Sequence, residues 1–159
     1  MGMIAFMPKI DLSQIPERNA TGYPPPFDQP VKGRWQRRLA PATGLTEIGV
    51  SFVRLEPGAW SSQRHWHEGE DEFLVMLSGA AVLIDDAGEH PLGPGDCAAF
   101  PKGEANGHHV VNRSEADCTF LAMSAGADTG GEYSDIDMRF TPNGYVHKDG
   151  TPYPTERIK

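Results

Sequence analysis

From Trp35 to Ala125 the chain is a succession of short apolar runs, each broken by Gly, Pro or an acidic turn residue. The pattern predicts strands over 34–39, 48–55, 62–67, 72–78, 80–84, 89–92, 97–100, 107–112 and 119–124. The "DDAG" that follows Ile84 reads as a hairpin turn, and "PLGPGD" as a second break. No window here sustains a helical period. Strands this short and this frequent predict an all-β sandwich or barrel.

The flanks read differently. Residues 1–34 carry Pro8, Pro16, Pro24, Pro25, Pro26 and Pro30. Proline cannot donate to a ladder and breaks helices, so this stretch predicts an extended arm, lying on the body of the protein or on a partner subunit. Residues 126–159 are polar and rich in turn residues. They predict an irregular tail packed on the barrel, with room for one short helix or 3₁₀ turn. The expected organisation is an arm (1–34), a β-barrel (35–125) and a tail (126–159).

Composition narrows the function classes. A chain of 159 residues with 38% apolar content suits one globular domain. A formal net charge of −8 argues against nucleic acid or an anionic membrane as partner, because both require a basic face. Cys97 and Cys118 match no close-spaced metal motif and read as buried thiols. The opening "MGMIAFMPKI" lacks the basic start of a secretory signal, so a cytoplasmic location is the expectation.

Chemistry concentrates in "RHWHEGEDEFLVMLSG", Arg64 to Gly79. On a strand, His65 and His67 share one face and can address one ion; they also suit a solvated acidic loop. Glu72 has the opposite parity and belongs to the next strand, where a reversal at Gly69 brings it back beside the histidines. Glu68, Glu70 and Asp71 then fall in the connecting turn. A second cluster, "GDCAAFPKGEANGHHVVNRS", holds His108 and His109; neighbours on a strand face opposite ways, so only one of them can join the first cluster.

These two stretches resemble the paired motifs of the cupins. The first reads Gly58, six residues, His65-x-His67, four residues, Glu72, six residues, Gly79. The second reads Gly95, five residues, Pro101-x-Gly103, four residues, His108, three residues, Asn112. The first has one extra residue before His65 and the second two before His108. The spacing to Asn112 selects His108, with His109 as the alternative. The resemblance covers about residues 48–124 and implies a conical double-stranded β-helix, a form of jelly roll. It also implies one divalent transition metal (Fe, Mn, Ni, Co, Cu or Zn) held by His65, His67, Glu72 and His108. Small single-domain bacterial cupins of this look are described as sugar-phosphate-isomerase-like.

Around that site the sequence says less. Arg54, Gln63, Met76, Asn112 and Tyr133 are the candidates for a substrate pocket. His90 and His147 read as surface residues, and Asp135 and Asp137 as turn or cap residues. Within residues 48–124 the only basic residues to offer a phosphate are Arg54, Arg64, Lys102 and Arg113. Two functions fit. One is a metal-dependent enzyme on a small polar metabolite, by isomerase, dioxygenase or decarboxylase chemistry. The other is a non-catalytic, metal-anchored small-molecule binder or sensor. The partner expected is a small molecule, and a homodimer is expected because jelly-roll edges need cover.

Overall fold

The computed structural model describes residues 8–158; the first seven residues of the arm lie outside it. The chain forms β1 (Arg34–Arg38), a single-turn helix α1 (Leu39–Thr43), β2 (Gly49–Leu55), β3 (His65–His67) and β4 (Glu70–Ser78). There follow β5 (Ala81–Asp85), β6 (Gly88–Leu92), β7 (Cys97–Phe100), β8 (His109–Val111) and β9 (Cys118–Gly126). Three strands of three residues close the chain: β10 (Gly131–Tyr133), β11 (Arg139–Thr141) and β12 (Gly144–Val146).

All pairings are antiparallel. One wall is a five-stranded sheet, β1-β2-β9-β4-β7. Facing it are β12-β11-β10-β3 and β6-β5-β8. The bridges His65↔His108 and Trp60↔Val111 join these two smaller sheets. The result is the all-β jelly roll that the strand pattern predicts.

Register fixes which residues face inward. Above Leu55 and Cys118, which close its bottom, the inner face of the large sheet carries three rows. The deepest is Gln36–Val53–Phe120–Met76, the next Arg38–Ser51–Ala122–Leu74–Ala98, and the outermost Gly49–Ser124–Glu72–Phe100. Period-two alternation sends Val50, Met123, Phe73 and Ala99 to the outer face. The barrel core holds Val53, Leu55, Leu74, Met76, Leu83, Val110 and Phe120. Each large side chain fully buried here contributes about 1.5–3 kcal/mol.

A second core lies under the arm. Tyr23 and Val31 from the arm pack with Tyr133, Met138, Phe140 and Tyr145 from the C-terminal strands. The arm therefore lies on its own body. It contains 3₁₀ turns at Leu12–Gln14 and Gln29–Val31, a cis Pro25–Pro26 bond, and a bridge from Arg18 to Gln36. Glu17 takes two hydrogen bonds from Arg54 at 2.6 and 3.2 Å, tying the arm to β2.

The tail is where the structure departs most from expectation. Residues 126–158 are irregular only in part, and no helix forms there among the described residues. Instead β10, β11 and β12 complete a sheet with β3. Backbone pairing to β3, together with the aromatic core beneath, overrides the polar local sequence. Glu70 and Asp71 belong to β4 rather than to a turn, while residues 62–64 form a bend and β3 begins only at His65. Cys118 is buried, but Cys97 is exposed because it sits on the edge strand β7. No helix among the described residues is long and apolar enough to cross a membrane.

Candidate metal centre

Strand alternation puts His65 and His67 on the inner face of β3, with Trp66 turned the other way. β10 runs beside them in the register Tyr133↔His65 and Gly131↔His67. A Cβ at Gly131 would lie 2.3 Å from the Phe140 ring and 2.1 Å from the Trp66 carbonyl oxygen. Glycine at that position lets Phe140 come up beneath the two imidazoles, at 5.9 Å from His65 and 4.9 Å from His67.

Glu72 enters from the opposite wall, at the inward position of β4 next to Phe100 and Ser124. His108 arrives through its bridge to His65. His65 Nε2 lies 3.2 Å from His67 Nε2. Glu72 Oε1 lies 3.2 Å from His67 Nε2, 2.9 Å from His108 Nε2 and 3.8 Å from His65 Nε2. Donors bound at right angles to one ion, each about 2.1 Å from it, stand about 3 Å apart. His65, His67 and Glu72 thus converge closely enough to hold one ion, and His108 meets the same Glu72 oxygen.

The other ring nitrogens are anchored outward. His65 Nδ1 is 2.8 Å from the Gln63 carbonyl oxygen, and His108 Nδ1 is 3.2 Å from that of Asn106. A carbonyl only accepts, so each Nδ1 donates there, which leaves each Nε2 directed inward as the atom that would meet an ion. Metal-binding histidines are oriented in this way. His67 Nδ1 stands 3.1 Å from Glu70 Oε2, an ion-pair distance out of line for a full hydrogen bond. The Phe100 ring stacks on His108 at 3.5 Å.

Without an ion the cluster holds its charge internally. Burial pushes His65 down to about 3, with the neighbouring histidines adding to the effect against Glu72. Burial also opposes charge on His67, but Glu70 and Glu72 outweigh it and raise that ring to about 9. Glu72 is buried, which favours its neutral form, yet hydrogen bonds from His108 and His67 hold it well below the usual carboxylate range. The donor set of imidazoles plus one carboxylate suits a divalent transition ion.

Two spaces flank the cluster. Outward is a small crevice of about 40 Å³ lined by Glu70, Glu104 and Asn106 beside His67, Glu72 and His108. Inward is a cavity of about 180 Å³, whose polar lining includes Gln36, Ser51, Ser61 and Ser62. It shares Ser51, Glu72 and Ala122 with a mouth of about 300 Å³ beside α1, lined by Arg38, Leu45 and Ile48.

The expected substrate-pocket residues lie elsewhere. Arg54 is on the outer face of β2, engaged by Glu17 and Asp117. Gln63 lies in the bend before β3 and donates to the Phe27 carbonyl oxygen beneath the arm. Met76 shares the inward face with Glu72, as its parity requires, but lies two rows deeper in closed core. Asn112 is fully buried and donates to the carbonyl oxygens of Leu55 and Ala116. Tyr133 is locked in the aromatic core against Tyr23. His109 turns from the cluster; its Nδ1 faces the Ser62 carbonyl oxygen and its ring meets Trp60.

Of the other basic residues, Arg64 is committed to Asp86 and Asp135 and Arg113 to Glu89, and Lys102 lines none of these spaces. His90 pairs with Asp85, and Asp137 takes bonds from His147 and the Lys148 N–H. The cavity residues missed in the sequence are Gln36, Arg38 and Ser51. The signal was the alternation along 34–38, legible only once β1 is known to pair with β2.

Comparison with known proteins agrees with this architecture. The cupin domain family matches residues 51–124. A solved structure from Silicibacter pomeroyi, described as a sugar phosphate isomerase from a cupin superfamily, is 46% identical. The match covers 96% of this chain and 100% of that one, with a TM-score of 0.87. A second, from Acidithiobacillus ferrooxidans and provisionally assigned as a sugar phosphate isomerase, is 26% identical. It covers 77% of this chain and 82% of that one, with a TM-score of 0.69. The oxalate-binding protein of Thermotoga maritima is 35% identical over 71 residues, 45% of this chain and 56% of that protein, so little more than half of that relative is matched. With both histidine-bearing stretches on the strands of one jelly roll and close likeness to a cupin along nearly its whole length, this chain belongs to the cupin superfamily.

Proposed function

We propose that the chain is a metal-dependent enzyme acting on a small hydroxylated carbonyl compound, with sugar phosphate isomerisation as the leading reaction. One divalent transition ion would be held by His65, His67, Glu72 and His108. The observation that carries this reading is the convergence of three Nε2 atoms and Glu72 Oε1 at the rim of a serine-lined cavity. A bound ion would polarise a carbonyl oxygen and stabilise the negative charge that develops there. The protein's part is to place the substrate. Ser51, Ser61 and Ser62 offer hydroxyls to a hydroxylated chain, while Leu74, Phe120 and Val110 exclude water from the floor. The likeness to the Silicibacter pomeroyi protein supports the isomerase reading.

A second reading rests on one feature. Apart from Glu72, the inner cavity is lined by no carboxylate or lysine, and Glu70 and Glu104 lie in the outer crevice. A metal-anchored binder or sensor needs no such base. We also propose a homodimer, because the outer face exposes Ile48 and Phe73 beside Met123 and Ala99.

Elemental analysis of purified wild type and His67→Ala tests the metal. One equivalent in wild type and its loss in the variant is the expected result; equal metal in both overturns the ligand set. A panel of sugar phosphates, and oxygen uptake with a catechol or a keto acid, then separates isomerase from dioxygenase. Absence of turnover with a copurified organic ligand selects the binder. Light scattering at micromolar concentration decides the dimer.

A further inference from the structure

We propose that Arg38 forms an oxyanion subsite at the cavity mouth, which seats the anionic end of the substrate while its other end lies at the Glu72–histidine cluster. The inference rests on the metal-enzyme reading of that cluster.

The register makes the case. Arg34, Gln36 and Arg38 share the inward face of β1. Arg38 pairs with Ser51, Ser51 with Ala122, and Ala122 with Leu74, two residues along β4 from Glu72. Three strand spacings, about 14 Å along the sheet and less across its concave face, therefore separate the Arg38 backbone from that of β4. Two long side chains span part of this gap, and what remains suits a metabolite a few carbons long. Ser51 and Ser124 line the path between them. A Cβ at Gly49 would stand 2.5 Å from Ser124 Oγ, so glycine there leaves this hydroxyl its place in the mouth.

Charge gives the direction. The crevice on the far side of the cluster is acidic through Glu70 and Glu104. Arg38 is the one cation lining the inner cavity or its mouth. An anion therefore meets favourable potential from the α1 side and repulsion from the other. A guanidinium fork matches the oxygens of phosphate or carboxylate.

The test is calorimetric titration of metal-loaded wild type, Arg38→Ala and Arg38→Lys with inorganic phosphate and, separately, with acetate. Metal content and melting temperature are measured on each sample. Arg38 lies on the edge strand away from the four cluster residues, so Ala should leave metal content unchanged, and the melting temperature shows that each variant is folded. Weakening of phosphate binding by tenfold or more in Arg38→Ala, partly restored in Arg38→Lys, is the expected result. Dependence of phosphate alone on Arg38 assigns the subsite to phosphate; dependence of both anions assigns it to any terminal oxyanion. Unchanged affinity for both anions, or no binding by fully metallated wild type, overturns it. If wild type holds no metal, the metal reading fails by itself, and the same titrations on metal-free protein still judge Arg38.

Discussion

The ring of Phe100 lies flat on the imidazole of His108, with centroids 3.5 Å apart and planes 6° from parallel. Phe100 is also the register partner of Glu72 on the neighbouring strand. One apolar side chain thus fixes the angle of His108 while its backbone positions Glu72. Phe100→Ala should lower metal affinity by about 10- to 100-fold, the usual cost of releasing a ligand's support. Competition with a chelating dye would measure it, and unchanged affinity would remove Phe100 from the site.

Gly131→Ala should be the more damaging change. The added methyl meets the Trp66 carbonyl and the Phe140 ring, and both support β3. Overpacking of this kind costs about 1–3 kcal/mol or more. A fall in melting temperature together with loss of bound metal is the expected outcome. Retention of full metal content would show that β10 can give way without moving the histidines.

Protonation and metal compete at His67. Its proton is held up to about pH 9 without an ion, so metal must displace it. Apparent metal affinity should rise with pH, by up to about tenfold per unit, from neutrality to about 9. The stability of chelator-treated protein should move in the opposite sense. A histidine whose pKa is raised on folding stabilises fully below its unfolded value near 6.5, and that contribution fades as pH rises through about 9. Denaturant titrations across this range should show the decline in wild type and not in His67→Ala.

Glu17 reports on the arm. Hydrogen bonds from Arg54 hold its carboxyl below the usual value. A depressed pKa stabilises above the unfolded value near 4.5 and is lost as pH falls. Glu17→Gln should cost about 0.5–1 kcal/mol at pH 7, the range for a partly exposed pair. The difference between wild type and variant should shrink in melting curves as pH falls below 4.5. A constant difference would assign the effect to packing.

Most of the barrel was legible because its strands are bounded by Gly, Pro and Asp and alternate in polarity. Glu72 was placed by parity, and so was the inward direction of Met76. Depth along a row was not legible: Glu72 reaches the rim while Met76, on the same face, is sealed under Phe120. Gln63 failed for a different reason. Parity carries no information in a bend, and residues 62–64 are one. β10 to β12 were invisible because three-residue strands show no period of their own; they exist through pairing with β3 and through the tyrosines beneath. Arg38 escaped notice because an arginine on an edge strand ordinarily reads as solvated, and only pairing with Ser51 turns it toward the cavity.

The pairing of β3 with β10 also orders events in time. A ribosome that has released only the residues through Ala125 has released every side chain of the histidine–glutamate cluster, yet β3 then has little more than its bridge at His108 and the Gly103 N–H on the His67 carbonyl oxygen to hold it. Gly131, Tyr133 and Phe140 emerge later and clamp that strand. The centre is therefore completed by residues some sixty positions beyond its first histidines, and the nascent protein should gain its ion only after residue 140 has emerged.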